Sequence, residues 1–154
     1  RITRWLLDVV PPPLFAKVGG FTGNVDRWQI VTWRAPSTVY LDVGAAATGT
    51  GAPDGDRSQG FSIWSTHLLT PETDRTTHYH WGYARNFDLD NEALTKTLYE
   101  GSRDTFYEDV EMIDAQQKNL ASSSLDGLVD ITGDGPQLQA RRMIDRLIAA
   151  EAAS

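Results

Sequence analysis

Cysteine is absent from this 154-residue chain, and its absence excludes several kinds of site at once. A chain without cysteine forms no disulfide, offers no thiolate nucleophile, and holds neither cysteine-ligated zinc nor an iron–sulfur cluster. Basic residues are also few, since 14 Lys and Arg stand against 21 Asp and Glu, for a formal net charge of −7. This balance argues against nucleic-acid binding and against a polybasic membrane anchor, because both need a basic surface.

Long apolar runs are lacking as well. No stretch approaches the roughly 18 apolar residues that cross a bilayer. Residues 6–10 are too short a run for a signal peptide and include an acid. We therefore expect a cytoplasmic protein. The chain begins at Arg1, without Met and directly in a strand-like segment, which predicts that it is part of something longer.

The chain does contain enough apolar and aromatic residues for one globular domain. Apolar residues make up 40%, with 5 Trp, 5 Tyr and 5 Phe, and a chain of this length buries about two-thirds of its unfolded surface. Short connections between consecutive strands indicate an antiparallel sheet, and the Gly-rich residues 44–60 predict a long hairpin loop. The β-prone segments, each bounded by Gly or Pro turn signals, are residues 4–10, 25–34, 38–43, 60–69 and 76–87.

The last third of the chain has a helical pattern. Asp90 or Asn91 is expected to cap a long helix that runs from Glu92 to about Leu120. A polar stretch, residues 122–135, follows it, and Pro136 opens a second helix that reaches Ala150. The sequence therefore predicts an α+β fold, in which an antiparallel sheet wraps on a long C-terminal helix.

One acidic residue falls on the apolar stripe of the long helix. At about 100° per residue, Asp109 lies about 60° from Leu94, within the stripe that also contains Leu98 and Met112. A carboxylate that faces a core must be paired, protonated or metal-bound, because an isolated buried charge is very costly. Besides a metal, two possibilities stay open: a salt bridge to an inward arginine, or a kink that turns Asp109 outward.

The remaining candidates are histidines and an aspartate on predicted strands. His78 and His80 are two residues apart, so both imidazoles share one face of a strand. With a carboxylate such as Asp109 they could form a metal site, and the alternative is a pair of half-exposed strand residues. His67 either faces a pocket or packs. Asp42 interrupts an apolar strand, so it is either satisfied within the sheet or directed into a cavity.

Two long segments carry a resemblance to a known family. Residues 65–73 (Ser-Thr-His-Leu-Leu-Thr-Pro-Glu-Thr) and 77–87 (Thr-His-Tyr-His-Trp-Gly-Tyr-Ala-Arg-Asn-Phe) resemble the catalytic domain of Rieske-type non-haem iron oxygenases. The branch that they resemble is the oxygenase component of vanillate O-demethylase and related aromatic O-demethylases. The resemblance extends in the expected order over nearly the whole chain, and residues 25–28, 108–117 and 140–142 support it.

This resemblance implies a helix-grip (START-like) fold and roles for three residues. It implies that Asp109 is the carboxylate ligand of a mononuclear Fe(II), and that His67 and Asp42 line the substrate pocket. It further implies a Rieske [2Fe–2S] domain and two iron-binding histidines, in an Asp-x-x-His-x-x-x-x-His helix, upstream of Arg1. Neither is in this chain. Residues 1–154 are therefore expected to be the C-terminal part of the catalytic domain, inactive by themselves.

For the intact protein, the resemblance implies O2-dependent demethylation or hydroxylation of an aromatic acid such as vanillate. Electrons would come from a reductase or ferredoxin through the Rieske cluster, in a homotrimer. The alternative is a non-catalytic helix-grip domain that binds a small aromatic ligand. Neither alternative involves nucleic acid or a membrane.

Overall fold

The structure, a computed structural model, describes residues 1–122 and 131–153. The chain divides into two compact units: Arg1–Phe87 with Gly133–Ser154, and Asp88–Thr132. Most of the predicted polar stretch after the long helix, residues 123–130, lies outside the described residues.

The first unit contains a sheet of five antiparallel strands in sequence order. Each strand pairs with its sequence neighbour, as the short connections predict. The third strand runs on to Ala47 rather than ending near Val43, because its small residues still pair with the second strand. The strands are β1 (Ile2–Val9), β2 (Val25–Arg34), β3 (Thr38–Ala47), β4 (Phe61–Pro71) and β5 (Thr77–Arg85).

Alternation along the strands gives the sheet two faces with different side chains. One face, which we call the His67 face, carries Val39, Leu41, Ser65, His67, Tyr79 and Trp81 near its centre. The other, which we call the Asp42 face, carries Trp28, Ile30, Asp42, Trp64 and His80. Residues that are adjacent in the sequence of one strand therefore lie on opposite faces.

A buried core lies on the Asp42 face. Trp28 is 2% exposed, and the ring of Trp5 is tilted against it with centroids 5.6 Å apart. The other buried members of this cluster are Ile30, Ala46 and Ala52. Ala52 belongs to a 3-10 turn, Ala52–Asp54, between β3 and β4. The predicted loop is thus an ordered cover for this face of the sheet.

A short helix that the sequence pattern did not predict, α1 (Pro13–Gly19), follows β1. The prolines at 11–13 indicate only the end of a strand, yet proline also suits the first turn of a helix. Phe15 of α1 meets Phe61 of β4 edge-on, with ring centroids 5.0 Å apart. The rings of Phe21 and Phe87 also contact Phe61. This aromatic cluster anchors α1 at one end of the His67 face.

The second unit consists mainly of one long helix, α2 (Glu92–Ser122). Of the two predicted caps, Asn91 is confirmed, because its side-chain oxygen accepts a hydrogen bond from the Leu94 N–H at 2.9 Å. Along the predicted apolar stripe Leu94 is half-buried, whereas Met112 is 73% exposed and Ile113 60% exposed. The second half of the predicted stripe is therefore exposed along α2.

The last helix, α3 (Gly135–Ala152), belongs to the first unit and has Pro136 in its first turn, as predicted. The α+β class, with an antiparallel sheet and a long helix, is confirmed. Within the part of the chain that the structure describes, no helix is both long and apolar enough to cross a membrane.

Candidate functional site

Three polar side chains meet on the His67 face. Ser65 and His67 are two residues apart on β4, so they point to the same side, and Tyr79 reaches them from β5. The His67 Nε2 lies 3.0 Å from the Ser65 hydroxyl oxygen, and its Nδ1 lies 2.5 Å from the Tyr79 hydroxyl oxygen. The imidazole therefore links two hydroxyls in one hydrogen-bonded series, which we call the Ser65–His67–Tyr79 network.

The surroundings of His67 favour its neutral form. Its neighbours across the sheet are Val39 on β3 and Trp81 on β5. Burial among such neighbours lowers the pKa of the His67 imidazole below its ordinary value, because desolvation disfavours the charged ring. Ser65 is 5% exposed and Tyr79 is 37% exposed. The network thus runs from a buried hydroxyl, through a neutral ring, to a hydroxyl near the surface.

Asp42 lies on the opposite face and has partners of its own. One carboxylate oxygen accepts the indole N–H of Trp28 at 2.9 Å, and the other accepts an N–H of Arg57 at 2.8 Å. The Arg57 guanidinium also lies over the Trp28 ring, 5.1 Å from its centroid. Of the two alternatives, the geometry favours a carboxylate satisfied within the sheet. Asp42 and His67 do not share a pocket here, because the register puts them on opposite faces.

Asp109 is exposed on α2, contrary to the expectation of an inward carboxylate. Thr105, one turn earlier, donates its hydroxyl to the Gly101 carbonyl at 2.9 Å and so bonds to its own helix. Among residues 1–122 and 131–153, Asp109 forms no ion pair. A salt bridge to an inward arginine, one of the alternatives that the sequence left open, therefore has no counterpart in the described residues.

The other two histidines lie on the Asp42 face of β5, with ring centroids 6.4 Å apart. The His78 Nε2 is 3.5 Å from a Glu72 carboxylate oxygen. Across the described ranges, no group of three or more His, Cys, Asp or Glu side chains is placed to hold a metal ion. The described residues alone therefore do not fit a two-histidine, one-carboxylate iron site.

Ser65 and Tyr79 are site residues that the sequence pattern did not single out. The position of Ser65 was predictable, because it is two residues before His67 on the same strand and so lies on the same face. The contact of Tyr79 with His67 was not predictable from the local sequence, because it depends on the pairing of β4 with β5. The sequence alone does not specify that register.

The chain thus combines an antiparallel sheet with a long helix, and one face of the sheet carries the Ser65–His67–Tyr79 network. Residues 1–150 match the family described as the vanillate O-demethylase oxygenase C-terminal domain. The chain belongs to this family.

Known relatives agree with this membership. A toluene-4-sulfonate monooxygenase system iron-sulfur subunit of Comamonas testosteroni is 44% identical over 97% of this chain and 44% of its own length. A vanillate O-demethylase oxygenase subunit of a Pseudomonas species is 35% identical over 98% of this chain and 47% of its own. The crystal structure of dicamba monooxygenase bound to 3,6-dichlorosalicylic acid matches 99% of this chain and 44% of that one, with a TM-score of 0.87 at 26% identity. The chain spans less than half the length of these relatives.

Proposed function

We propose that this chain is the C-terminal part of the oxygenase component of a Rieske non-haem iron oxygenase. The intact protein would use O2 to demethylate or hydroxylate an aromatic acid. The observation that carries this proposal is the family match across residues 1–150. The rest of the intact protein, outside this chain, would supply the Rieske [2Fe–2S] cluster and the two histidine ligands of the mononuclear iron. A reductase or ferredoxin would supply electrons, and the assembly would be a homotrimer.

The His67 face is the part of this chain that we assign to the substrate. Val39, Leu41 and Trp81 offer apolar surface for an aromatic ring, and the Ser65–His67–Tyr79 network places hydrogen-bond donors beside that surface. Relatives are named for toluene-4-sulfonate and for vanillate, which are a sulfonate and a carboxylate of a single ring. We therefore assign an aromatic acid as the substrate class and His67 as a substrate-binding residue.

Asp109 is the residue that we assign to the iron. Its carboxylate is exposed on α2 and is therefore accessible to groups outside the described residues. In the intact protein, Asp109→Ala is expected to abolish binding of the mononuclear iron while leaving the Rieske absorption spectrum unchanged. Metal analysis together with visible absorption measures both. Asp114→Ala, an exposed acid on the same helix, serves as the control and should retain both kinds of iron.

Two results would contradict these assignments, one for the iron role of Asp109 and one for the oxygenase activity. Retention of mononuclear iron and turnover by Asp109→Ala would remove Asp109 from the iron site. An intact wild-type protein that binds aromatic acids, yet consumes no O2 with them, would instead be the non-catalytic binding module.

A further inference from the structure

We propose that the Tyr79 hydroxyl is a substrate-binding donor that receives the anionic group of the aromatic acid, and that Ser65 and His67 orient it. This inference rests on the proposed function. It adds Tyr79 to the residues that touch substrate, and it gives His67, which lines the same face, the further role of orienting the Tyr79 hydroxyl together with Ser65. It starts from the two hydrogen bonds of His67, which occupy both ring nitrogens.

The two bonds restrict how hydrogen atoms are arranged in the network. A neutral imidazole has one N–H donor and one bare nitrogen that accepts, whereas each hydroxyl can do either. In one arrangement Tyr79 donates to Nδ1, and the Nε2–H donates to Ser65. In the other arrangement Ser65 donates to Nε2, and the Nδ1–H donates to the Tyr79 oxygen. Only the second turns the Tyr79 hydroxyl hydrogen away from the ring.

The second arrangement is the one that suits an anion. Both ring nitrogens of His67 already have hydroxyl partners, so the hydroxyl at the end of the network is the group placed to donate to an anion. Donation of the Nδ1–H to the Tyr79 oxygen polarises the Tyr79 O–H and makes it a stronger donor. Ser65 is almost fully buried while Tyr79 is partly exposed. A ligand that arrives from outside therefore meets the Tyr79 end of the network.

The charged residue farther along β5 does not replace Tyr79 in this role. Arg85 shares the His67 face but lies six residues away, or roughly 20 Å along an extended strand. Its Nε donates to the Phe87 carbonyl at 3.0 Å. A one-ring acid held at Tyr79 cannot span that distance. Of these two β5 residues, the Tyr79 hydroxyl is therefore the one that we assign to discriminate between an anionic and a neutral ligand at this position.

The test compares anionic ligands with neutral ligands of the same shape. Dissociation constants of the intact protein are measured by calorimetry for toluene-4-sulfonate and vanillate, and for toluene-4-sulfonamide and vanillamide. Tyr79→Phe should weaken binding of the two anions roughly tenfold or more, as expected for a lost charge-assisted hydrogen bond. The two amides should lose at most a few-fold. Ser65→Ala, which acts through His67, should weaken the anions by a smaller factor.

Tyr40→Phe is the matched control, because it removes the same hydroxyl from the Asp42 face of the sheet. Its affinities should equal those of the wild type. Equal losses for anions and amides in Tyr79→Phe would mean a purely structural role and would overturn the inference, as would unchanged affinities. If the wild-type protein binds no aromatic acid, the proposed function falls and this inference falls with it. If the wild type binds and Tyr79→Phe matches it, the inference alone falls.

Discussion

Gly44 shows how strictly a single residue can be limited by its neighbours. A Cβ atom added there would collide with the Phe61 carbonyl oxygen and with the indole ring of Trp28. Both neighbours are part of the buried sheet, so neither can move aside as a flexible side chain would. Gly82 on β5 is the opposite case, since a Cβ there would meet nothing within 4 Å.

This contrast gives a prediction at the residue scale. Gly44→Ala should lower the free energy of unfolding by about 2 kcal/mol or more, the usual effect of overpacking a sheet core. Gly82→Ala should change it by only about 0.5 kcal/mol in either direction. Urea unfolding followed by circular dichroism measures both. Similar effects from the two substitutions would contradict a steric cause.

At the scale of elements, one ion pair ties the loop between β3 and β4 to the sheet. Arg57 in that loop donates to the Asp42 carboxylate and covers the Trp28 ring, while Ala52 of the same loop is fully buried against the core. The loop is therefore fastened at two places, one polar and one apolar. This arrangement gives Asp42 a structural role that needs no ligand.

Asp42→Asn tests that role. The change removes the charge that holds Arg57, so the free energy of unfolding should fall by about 1–2 kcal/mol. Amide hydrogen exchange in residues 48–60 should become faster. Affinity for aromatic acids should not change, because Asp42 lies on the face away from His67. Asp74→Asn, in an exposed pair with Arg75, is the control. Lost affinity with unchanged stability would restore Asp42 to the substrate pocket.

Local sequence patterns specify some of these elements and leave others undetermined. The strands, α2 and α3 were predictable, because alternation, capping residues and proline act within a few neighbouring positions. The faces of Asp42 and His67 were not, because they depend on the register between β3 and β4. For Asp109 the angular position on the helix follows from the sequence. Its burial does not, since that depends on what covers the helix.

At the scale of the whole molecule, the desolvated imidazole of His67 makes the stability of this acidic chain depend on pH. The chain carries a formal charge of −7 at pH 7, with a sequence pI of about 4.8. Burial lowers the pKa of His67 in the folded state, so the unfolded chain takes up a proton more readily. The contribution of His67 to stability is therefore complete above the ordinary histidine pKa. It is lost as pH falls from there through the folded-state value.

His67→Gln should accordingly flatten part of the pH profile. Between about pH 7.5 and about pH 5.5, a window around the ordinary histidine pKa, the wild-type melting temperature should fall more steeply than that of the variant. Scanning calorimetry across this range provides the measurement. Parallel slopes for the wild type and His67→Gln would contradict the desolvation of the ring.

The two-faced sheet has a practical consequence for protein engineering. Neighbouring positions on one strand, such as Leu41 and Asp42, belong to separate environments that share no bonding partner. Substitutions whose side chains share no partner and lie well apart combine nearly additively. Substitutions at Val39 or Tyr79 on the His67 face and at Trp64 on the Asp42 face are therefore expected to combine nearly additively in a single library.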